Sequence, residues 1–323
     1  DKRLKIVSVD TETVSCGDIN FAPVEELGET SFYGVLSPEA LEEAAKDADI
    51  LLVNKANVTR GLISKCAKLK YVGTYSTGYN NIDIPALEER GIFACNVPGY
   101  STNAVCQHVF ALMLMFAGKT DKYASSVERG DWLKSDTFCY FTWPMAEIYG
   151  KTFGVYGYGS IGRAAARAAE AFGMKVIVHT RTAPKDCPCE LVSSDEIFAR
   201  SDFLSFHCPL NEQTAGIINK RTLSLMKPTA VIINTARGGL ADEAALAAAL
   251  NEGRIGGACL DVITREPMRP DCPLIGAKNC IITPHIAWGP RETRARLVEM
   301  VAQNIRAFLN GTPQNVITKG LLV

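Results

Sequence analysis

The sequence predicts an α/β protein with two doubly wound, parallel-sheet domains. Short apolar runs alternate with helix-like segments along most of the chain, and one run leads into a Gly-x-Gly-x-x-Gly turn. Such alternation is typical of parallel sheets covered by helices on both faces. Pro98-Gly99 and Gly289-Pro290 interrupt the pattern, and a chain of 323 residues is long enough for two domains of ordinary size. We therefore predict one domain from residues 1–98 plus 290–323 and a second from residues 99–289.

The first domain is predicted as a small, flavodoxin-like unit without a glycine-rich phosphate loop. Ser37 is expected to cap a helix that has Pro38 at its first position. The amphipathic segment Arg291 to Asn310 is expected to return to this domain, leaving a cleft between the two domains. The predicted strands are Leu4–Val9, Ile50–Val53, Tyr71–Thr74 and Ile92–Val97, and the predicted helices include Thr59 to Leu69 and Ile84 to Gly91.

The second domain begins with Thr102 to Lys119, a helix that is apolar nearly all round. Such a helix is expected to be buried, between domains or between subunits. The α/β alternation then resumes from Lys151 to Ile282. Its predicted strands include Lys175–Thr180, Asp202–His207, Ala230–Asn234, Gly257–Val262 and Cys280–Thr283, and its helices include Asp195–Arg200 and Asp242 to Asn251.

The glycine turn of the second domain carries the first functional signal. An apolar run ends at Tyr156, and an alanine-rich helix follows Gly157-Tyr158-Gly159-Ser160-Ile161-Gly162. The first glycine permits the tight turn, the second lets the backbone approach a pyrophosphate, and the third lets the helix lie close to the strand. Free N–H groups and the helix dipole then favour phosphates. The stretch predicts a Rossmann dinucleotide site.

Composition excludes several other classes of function. Lys plus Arg number 34 and Asp plus Glu number 35, so no surplus of charge indicates nucleic acid or an acidic membrane as partner. The apolar run from Val109 to Ala117 is too short to span a bilayer. Eleven scattered cysteines and the lack of a secretory signal favour a reducing cytoplasm. Cys187 and Cys189 form the one close pair, and without a neighbouring histidine we expect no metal site there.

Three side chains capable of catalysis follow successive strands of the second domain. Arg237 can bind a carboxylate through two hydrogen bonds, and His285 can donate a proton. A carboxylate such as Glu266 beside an imidazole favours its charged form and keeps a proton available. Each alone could be a surface arginine, a loop carboxylate or a structural histidine. Their coincidence at strand ends, where open α/β sheets bind ligands, favours a catalytic set.

These motifs together resemble the D-2-hydroxyacid dehydrogenase family. The glycine turn, NTARGG, DVITREP and TPHIAW occur in this order, and TGYNNID and NVPGYSTNAVCQHVFALML match in the first half, so the resemblance spans essentially the whole chain. The Pro-His-Ile-Ala-Trp segment is most similar to glycerate dehydrogenases, which are hydroxypyruvate or glyoxylate reductases. The resemblance implies hydride transfer between a nicotinamide cofactor and C2 of a 2-oxo acid.

The resemblance also implies a role for each site residue. His285 would be the acid–base, Glu266 its carboxylate partner and Arg237 the substrate clamp. The turn Ser76-Thr77-Gly78 would offer N–H groups to the substrate carboxylate, Trp288 would line the pocket, and helix Thr102–Lys119 would help form a homodimer. His108 and His207 are interpreted as structural. Besides the glycine turn, the expected cofactor contacts are Thr180, Arg181, Cys208, Pro209, Thr235, Ala236 and Asp261.

One feature departs from the usual pattern of a dinucleotide site and bears on the choice between NAD(H) and NADP(H). The strand after the glycine-turn helix should end in an acid that binds the adenosine ribose hydroxyls, but Thr180 stands there with Arg181 beside it. A missing carboxylate removes repulsion of a 2′-phosphate, and Arg181 can pair with that phosphate. We therefore expect use of NADP(H), with NAD(H) as the alternative.

Three alternatives remain open at this point. The substrate could be another D-2-hydroxy acid, or phosphite could be oxidised by the same three residues. The chain could instead be a cofactor-sensing protein similar to a transcriptional corepressor. The complete set of arginine, glutamate and histidine favours an enzyme.

Overall fold

The chain divides into two units at residues 101–102 and 288–289. The computed structural model describes residues 3–322; residues 1, 2 and 323 of the predicted first domain lie outside the described residues. One unit extends to Ser101 and resumes at Gly289, and the other comprises Thr102–Trp288. The chain therefore passes between the units twice.

The strands and helices are numbered here in chain order. The strands are β1 Lys5–Ser8, β2 Glu29–Phe32, β3 Ile50–Val53, β4 Tyr71–Thr74, β5 Phe93–Cys95, β6 Thr152–Tyr156, β7 Lys175–His179, β8 Glu190–Leu191, β9 Phe203–Phe206, β10 Val231–Asn234, β11 Gly257–Leu260 and β12 Cys280–Ile282. The α-helices are α1 Ala22–Glu25, α2 Pro38–Ala45, α3 Arg60–Lys65, α4 Ile84–Glu89, α5 Thr102–Gly118, α6 Thr120–Glu128, α7 Ser160–Ala171, α8 Ser194–Arg200, α9 Lys220–Leu225, α10 Glu243–Asn251 and α11 Arg291–Leu309.

A five-stranded parallel sheet forms the core of the first unit. Its strand order is β2-β1-β3-β4-β5. Every residue of β3 and β4 is buried, as expected for parallel strands covered on both faces. Helix α11 packs on this sheet: the Phe308 ring lies 5.0 Å from the ring of Tyr71 and 5.6 Å from that of Phe93.

The second unit contains a seven-stranded parallel sheet in the order β12-β11-β10-β9-β6-β7-β8. The chain builds outward from β6 through β7 to β8, then crosses to β9 on the other side of β6 and continues outward to β12. The order therefore reverses between β6 and β9, the point at which doubly wound sheets bind ligands outside the strand carboxyl ends. The predicted fold class of two parallel-sheet α/β domains is confirmed.

Helix caps follow the sequence closely. The Ser37 hydroxyl accepts a hydrogen bond from Ala40 N at 3.2 Å, and Asp242 accepts one from Ala245 N at 3.0 Å. Each cap satisfies one of the N–H groups that a helix start leaves without an intrahelical partner. Serine and aspartate are both favoured at this position, and the cap at Ser37 was predicted.

Two predicted helices differ from the structure. The helix predicted from Thr59 to Leu69 ends at Lys65, because Cys66 leaves the helical region and Leu69 turns into the core as a loop residue. Helix α5 is not buried all round within the chain. Val109 and Met113 are fully buried, whereas Leu114 remains 37% exposed.

Five elements were absent from the prediction: β2, β8, α1, α6 and α9. Strand β2 has the sequence ETSF, in which threonine and serine give no apolar run to detect. It exists because its backbone pairs in register with β1 at the sheet edge. Helices α6 and α9 are short segments of mixed polarity, for which local sequence is a weak guide.

Candidate active site

The glycine turn between β6 and α7 has the shape required to accept a dinucleotide. Gly157 adopts φ 99°, and a Cβ there would lie 2.7 Å from Cys208 N. A Cβ on Gly162 would overlap the carbonyl oxygen of Gly157. The protein's own packing thus demands the first and third glycines. Around Gly159 no protein atom lies within 4 Å of the Cβ position, which leaves the space that a pyrophosphate requires.

The start of α7 supplies the electrostatic part of this site. Gly159 is the N-cap of the 12-residue helix, and no side chain caps that end. The first-turn N–H groups of any helix lack intrahelical partners and, with the helix dipole, favour an anion. The chain around Gly159 therefore fits a nucleotide cofactor.

The carboxyl end of β7 lies directly beside the glycine turn. Gly157 N donates a hydrogen bond to His179 O at 2.8 Å, so the next residue, Thr180, follows at the edge of the turn. Thr180 is partly buried and Arg181 is exposed. The structure therefore places the predicted ribose-recognition residues at the expected strand end.

Other predicted cofactor residues follow the two strands on the opposite side of β6. Cys208 and Pro209 come after β9, and Thr235 and Ala236 come after β10, which pairs with β9. Burial raises the pKa of the Cys208 thiol to about 11, so this cysteine stays neutral and acts as an apolar residue. The Thr235 hydroxyl is buried without a hydrogen-bond partner among the described residues. A bound molecule that supplies that partner would remove the penalty.

The loop that carries Arg237 is shaped by Asn234. The Asn234 side chain accepts a hydrogen bond from Ala236 N at 3.0 Å and donates one to Arg237 O at 2.9 Å. Gly238 follows, and a Cβ there would overlap the backbone at Ile263, so this loop lies against the loop after β11. The exposed Arg237 side chain uses one N–H in a 2.7 Å bond to Ala236 O. Arginine has five N–H donors in total, so several remain available for an anion.

His285 and Glu266 form a hydrogen-bonded pair in the loops after β12 and β11. His285 Nδ1 lies 2.6 Å from Glu266 Oε2, and Glu266 Oε1 accepts a bond from Ile263 N at 3.2 Å. An ionised carboxylate can only accept, so Nδ1 donates the proton. That arrangement leaves Nε2 as the nitrogen that can exchange a proton with a substrate. Both side chains keep about a third of their surface exposed (29% and 34%).

The structure thus brings the predicted catalytic side chains to one edge of one sheet. Strands β10, β11 and β12 are neighbours and parallel, and Arg237, Glu266 and His285 follow them in that order. Trp288 lies in the same loop as His285, and its indole N–H donates to His285 O at 2.9 Å.

Asp261, which the sequence analysis predicts to be a cofactor contact, is buried in the structure. The residue is 1% exposed, and its carboxylate points into the protein. It accepts hydrogen bonds from the Thr283 hydroxyl at 2.6 Å, from Ile286 N at 2.9 Å and from Ala287 N at 2.8 Å. This carboxylate holds the His285 loop through these three hydrogen bonds.

In the first unit, the turn Ser76-Thr77-Gly78 follows β4 with its side chains already engaged. The Ser76 hydroxyl donates to Gly78 O at 2.6 Å, and the Thr77 hydroxyl donates to Val97 O at 2.8 Å. Asn96 Nδ2 donates to Thr77 O at 2.7 Å. The turn is therefore fixed in place, and its backbone N–H groups are what it can offer a ligand.

Residues 3–322 contain no group of three or more His, Cys, Asp or Glu side chains arranged to hold a metal ion. Within that range, no helix combines the length and apolar character needed to cross a membrane.

A site that accepts a dinucleotide and sets a proton donor and an arginine beside it defines a class, the nicotinamide-dependent oxidoreductases. Comparisons with known proteins specify the family. Residues 110–287 match the NAD binding domain of the D-isomer specific 2-hydroxyacid dehydrogenases.

Full-length relatives agree with this match. A hydroxypyruvate reductase of Blautia hydrogenotrophica is 39% identical over 98% of this chain and 100% of the relative. A glycerate dehydrogenase of Methylorubrum extorquens is 38% identical over 97% of this chain and 98% of the relative. The structure of an acyclic imino acid reductase in complex with NADPH and D-Arg superposes with a TM-score of 0.86 at 34% identity, covering 97% of this chain and 100% of that one. The protein belongs to the D-isomer specific 2-hydroxyacid dehydrogenase family and is an oxidoreductase.

Proposed function

We propose that the protein uses NAD(P)H to reduce a small 2-oxo acid to the D-2-hydroxy acid. The proposed substrates are hydroxypyruvate, reduced to D-glycerate, and glyoxylate, reduced to glycolate. The observation that carries the proposal is the 2.6 Å hydrogen bond between His285 and Glu266, one strand away from Arg237. The names of the two full-length relatives support the choice of substrate.

Each site residue has a distinct role in this proposal. The glycine turn Gly157–Gly162 would hold a nicotinamide cofactor, which would supply the hydride for C2 of the substrate. His285 gives a proton from Nε2 to the carbonyl oxygen, which prevents negative charge from building up there. Glu266 orients the imidazole through Nδ1 and stabilises its charged form. Arg237 binds the substrate carboxylate, a planar anion that suits a guanidinium. The backbone N–H groups of Ser76-Thr77-Gly78 are proposed as substrate-binding groups of the first unit. Trp288 lines the pocket.

We propose further that NADP(H) is the preferred cofactor. Thr180 occupies the strand end where an acid would repel a 2′-phosphate, and the exposed Arg181 follows it. The imino acid reductase that resembles this chain was solved with NADPH, which supports the proposal. The glycine turn, Cys208-Pro209 and Thr235-Ala236 are proposed to hold the rest of the cofactor.

We propose that the protein is a homodimer formed through the region of helix α5. This helix leaves Leu114 37% exposed, and the segment that follows α6 exposes several large apolar side chains. Contiguous exposed apolar surface is unusual in a monomer and typical of an interface. The apolar residues of this segment are Trp132, Leu133, Phe138, Phe141, Met145 and Tyr149. Sedimentation of the wild type and of Phe138→Asp would test the proposal, with a monomeric wild type contradicting it.

We also infer a cytoplasmic location, because all eleven cysteines are free thiols. To test this, the protein is isolated anaerobically from its own cells without alkylating reagents, denatured, and its thiols are titrated. Eleven reactive thiols are expected. Fewer would contradict the inference.

The decisive experiment on function is a substrate panel. Hydroxypyruvate, glyoxylate and pyruvate are supplied with NADPH or NADH, and the loss of cofactor absorbance is followed. Parallel wells contain phosphite with NADP⁺ or NAD⁺, in which absorbance would rise. Turnover with hydroxypyruvate or glyoxylate that is abolished in His285→Ala supports the proposal. Cofactor binding without turnover of any 2-oxo acid would overturn it.

A further inference from the structure

We propose that His108 of helix α5 is a positioning residue for the acid–base His285, acting through Thr283 and Asp261. Its effect on the reaction rests on the proposed function, whereas its effect on the placement of His285 rests on the structure alone. All four residues lie in the second unit.

The backbone of His285 is held by its neighbours in an uncommon conformation. Its φ of 54° lies in the left-handed region, which few residues other than glycine adopt, although histidine does so more often than most. His285 N donates to Asp261 O at 2.9 Å and lies 3.0 Å from Thr283 O. Immediately after His285, Ile286 N and Ala287 N both donate to the Asp261 carboxylate. Asp261 therefore holds the turn both through its backbone and through its side chain.

The Asp261 carboxylate in turn depends on donors that surround it. Burial raises the pKa of Asp261, but the hydrogen bonds from His108, Thr283, Ile286 N and Ala287 N outweigh burial, and the net pKa is lowered. A buried carboxylate that loses one of its donors is destabilised, because the protein has no solvent there to replace that donor. The conformation of the turn that contains His285 therefore depends on the hydrogen bonds that these donors make to Asp261.

His108 contributes to this set from outside the sheet. Its Nε2 lies 2.9 Å from Thr283 Oγ1 and 3.4 Å from Asp261 Oδ1. The Thr283 hydroxyl has one proton and donates it to Asp261 at 2.6 Å. Thr283 Oγ1 must therefore accept from His108, so Nε2 carries a proton and donates it. A relay of hydrogen bonds runs from His108 through Thr283 to Asp261.

The consequence for catalysis follows from the geometry of the His285–Glu266 pair. If His108 cannot donate, Thr283 and Asp261 lose a partner and the turn at His285 relaxes from its left-handed conformation. His285 then moves relative to Glu266 and the substrate. Misplacement of about 1 Å is sufficient to reduce turnover on the order of 10²-fold. Cofactor binding should change little, because the glycine turn and the ends of β7 and β9 are not part of the relay.

The test compares variants that remove and retain the donor. His108→Leu removes it, His108→Gln retains an amide N–H at a similar reach, and Thr283→Val breaks the relay at its second member without a large change of shape. Ser126→Ala is the matched control: Ser126 is 1% exposed on α6, and the substitution removes part-buried hydrogen bonds to Tyr123 O and Tyr140 OH, away from this relay. The readouts are kcat and KM with hydroxypyruvate, the Kd of NADPH, and the NMR signal of the His285 ring. The chain has only four histidines, so His285→Ala identifies that signal.

We expect kcat to fall roughly 10- to 100-fold in His108→Leu and Thr283→Val. The His285 signal should shift or broaden in both variants, the Kd of NADPH should change little, and His108→Gln should restore both kcat and the signal. An unchanged His285 signal in folded His108→Leu and Thr283→Val would overturn the proposal, as would equal losses in His108→Leu and His108→Gln. If the wild type reduces no 2-oxo acid, the proposed function fails, but the NMR comparison still decides whether His108 positions His285.

Discussion

His285 Nδ1 lies 2.6 Å from Glu266 Oε2, across the loops that follow two adjacent parallel strands. Nineteen residues separate the pair in sequence. The sheet brings them together because the carboxyl ends of β11 and β12 meet at the same edge. This pair is the part of the structure on which the proposed proton transfer depends.

The first prediction concerns that pair. His285→Ala should lower kcat by about 10²–10⁴-fold, since positioned acid–base catalysis is worth that much. Glu266→Gln retains a hydrogen-bond acceptor but loses the charge that stabilises the protonated imidazole, so it should lose less than His285→Ala and more than a surface substitution such as Lys278→Ala. Steady-state kinetics at saturating cofactor would measure all three. Wild-type turnover in His285→Ala would refute the assignment.

Arg237 should act mainly on substrate binding. Arg237→Ala removes the guanidinium proposed to bind the carboxylate, so KM for hydroxypyruvate should rise on the order of 10-fold or more, given about 1.5–3 kcal/mol for a charge-assisted bond. Arg237→Lys keeps the charge but not the two-bond geometry and should recover only part of the loss. An unchanged KM in Arg237→Ala would place the substrate carboxylate elsewhere.

The glycine turn allows cofactor binding to be separated from folding. Gly159→Ala places a methyl group where no neighbouring protein atom lies within 4 Å, so Tm should stay unchanged. The Kd of NADPH should rise, because the methyl group occupies the space proposed for the pyrophosphate. Gly162→Ala places the methyl against the Gly157 carbonyl, so Tm itself should fall. Thermal melts and fluorescence titration with NADPH would distinguish the two variants. Equal effects on Tm would contradict the proposed geometry of the turn.

Thr180 and Arg181 should determine the preference for cofactor. Thr180→Asp introduces the acid that binds ribose hydroxyls and repels a 2′-phosphate, so the ratio of kcat/KM for NADPH to that for NADH should fall. Arg181→Ala should lower the same ratio by removing the cation that pairs with the phosphate. If the wild type already strongly prefers NADH, the proposed preference for NADP(H) is wrong.

His207 should make stability depend on pH. Burial lowers the pKa of His207 from 6.5 to about 4. The unfolded chain therefore takes up a proton near pH 6.5 while the folded protein does not. Protonation therefore favours the unfolded state increasingly as the pH falls from 6.5 to 4, and the free energy of unfolding decreases by about 1.4 kcal/mol per pH unit in this range. Denaturant unfolding between pH 7 and 4 should show a shallower loss in His207→Gln, whose amide can still reach the Ser205 hydroxyl that His207 contacts at 2.8 Å. Parallel curves for the two proteins would contradict the assignment.

Local patterns in the sequence were sufficient for the class of fold and for the choice of candidate site residues. The alternation of apolar runs and capped helices predicts parallel sheets. It can be read from the sequence because each of these signals depends only on residues close together in the chain. The same holds for the glycine turn, in which three glycines at fixed spacing indicate the shape of one loop. Arg237, Glu266 and His285 could be recognised because each directly follows a recognisable strand.

Tertiary structure decided what depends on residues distant in the chain. Strand β2 has no apolar pattern and forms because β1 offers it backbone partners. The sequence around Asp261 does not indicate whether its carboxylate faces a cofactor or the interior. In the fold the carboxylate faces inward, where it accepts hydrogen bonds from Thr283 and from the N–H groups of residues 286 and 287. His108 lies 175 residues from Thr283 along the chain, so no local pattern reveals their hydrogen bond. The sequence by itself determined which side chains follow the strand ends and which reactions their functional groups allow. The fold decided which other side chains hold those groups in position. Hydrogen-bond geometry depends on distances in space, which local sequence patterns do not contain.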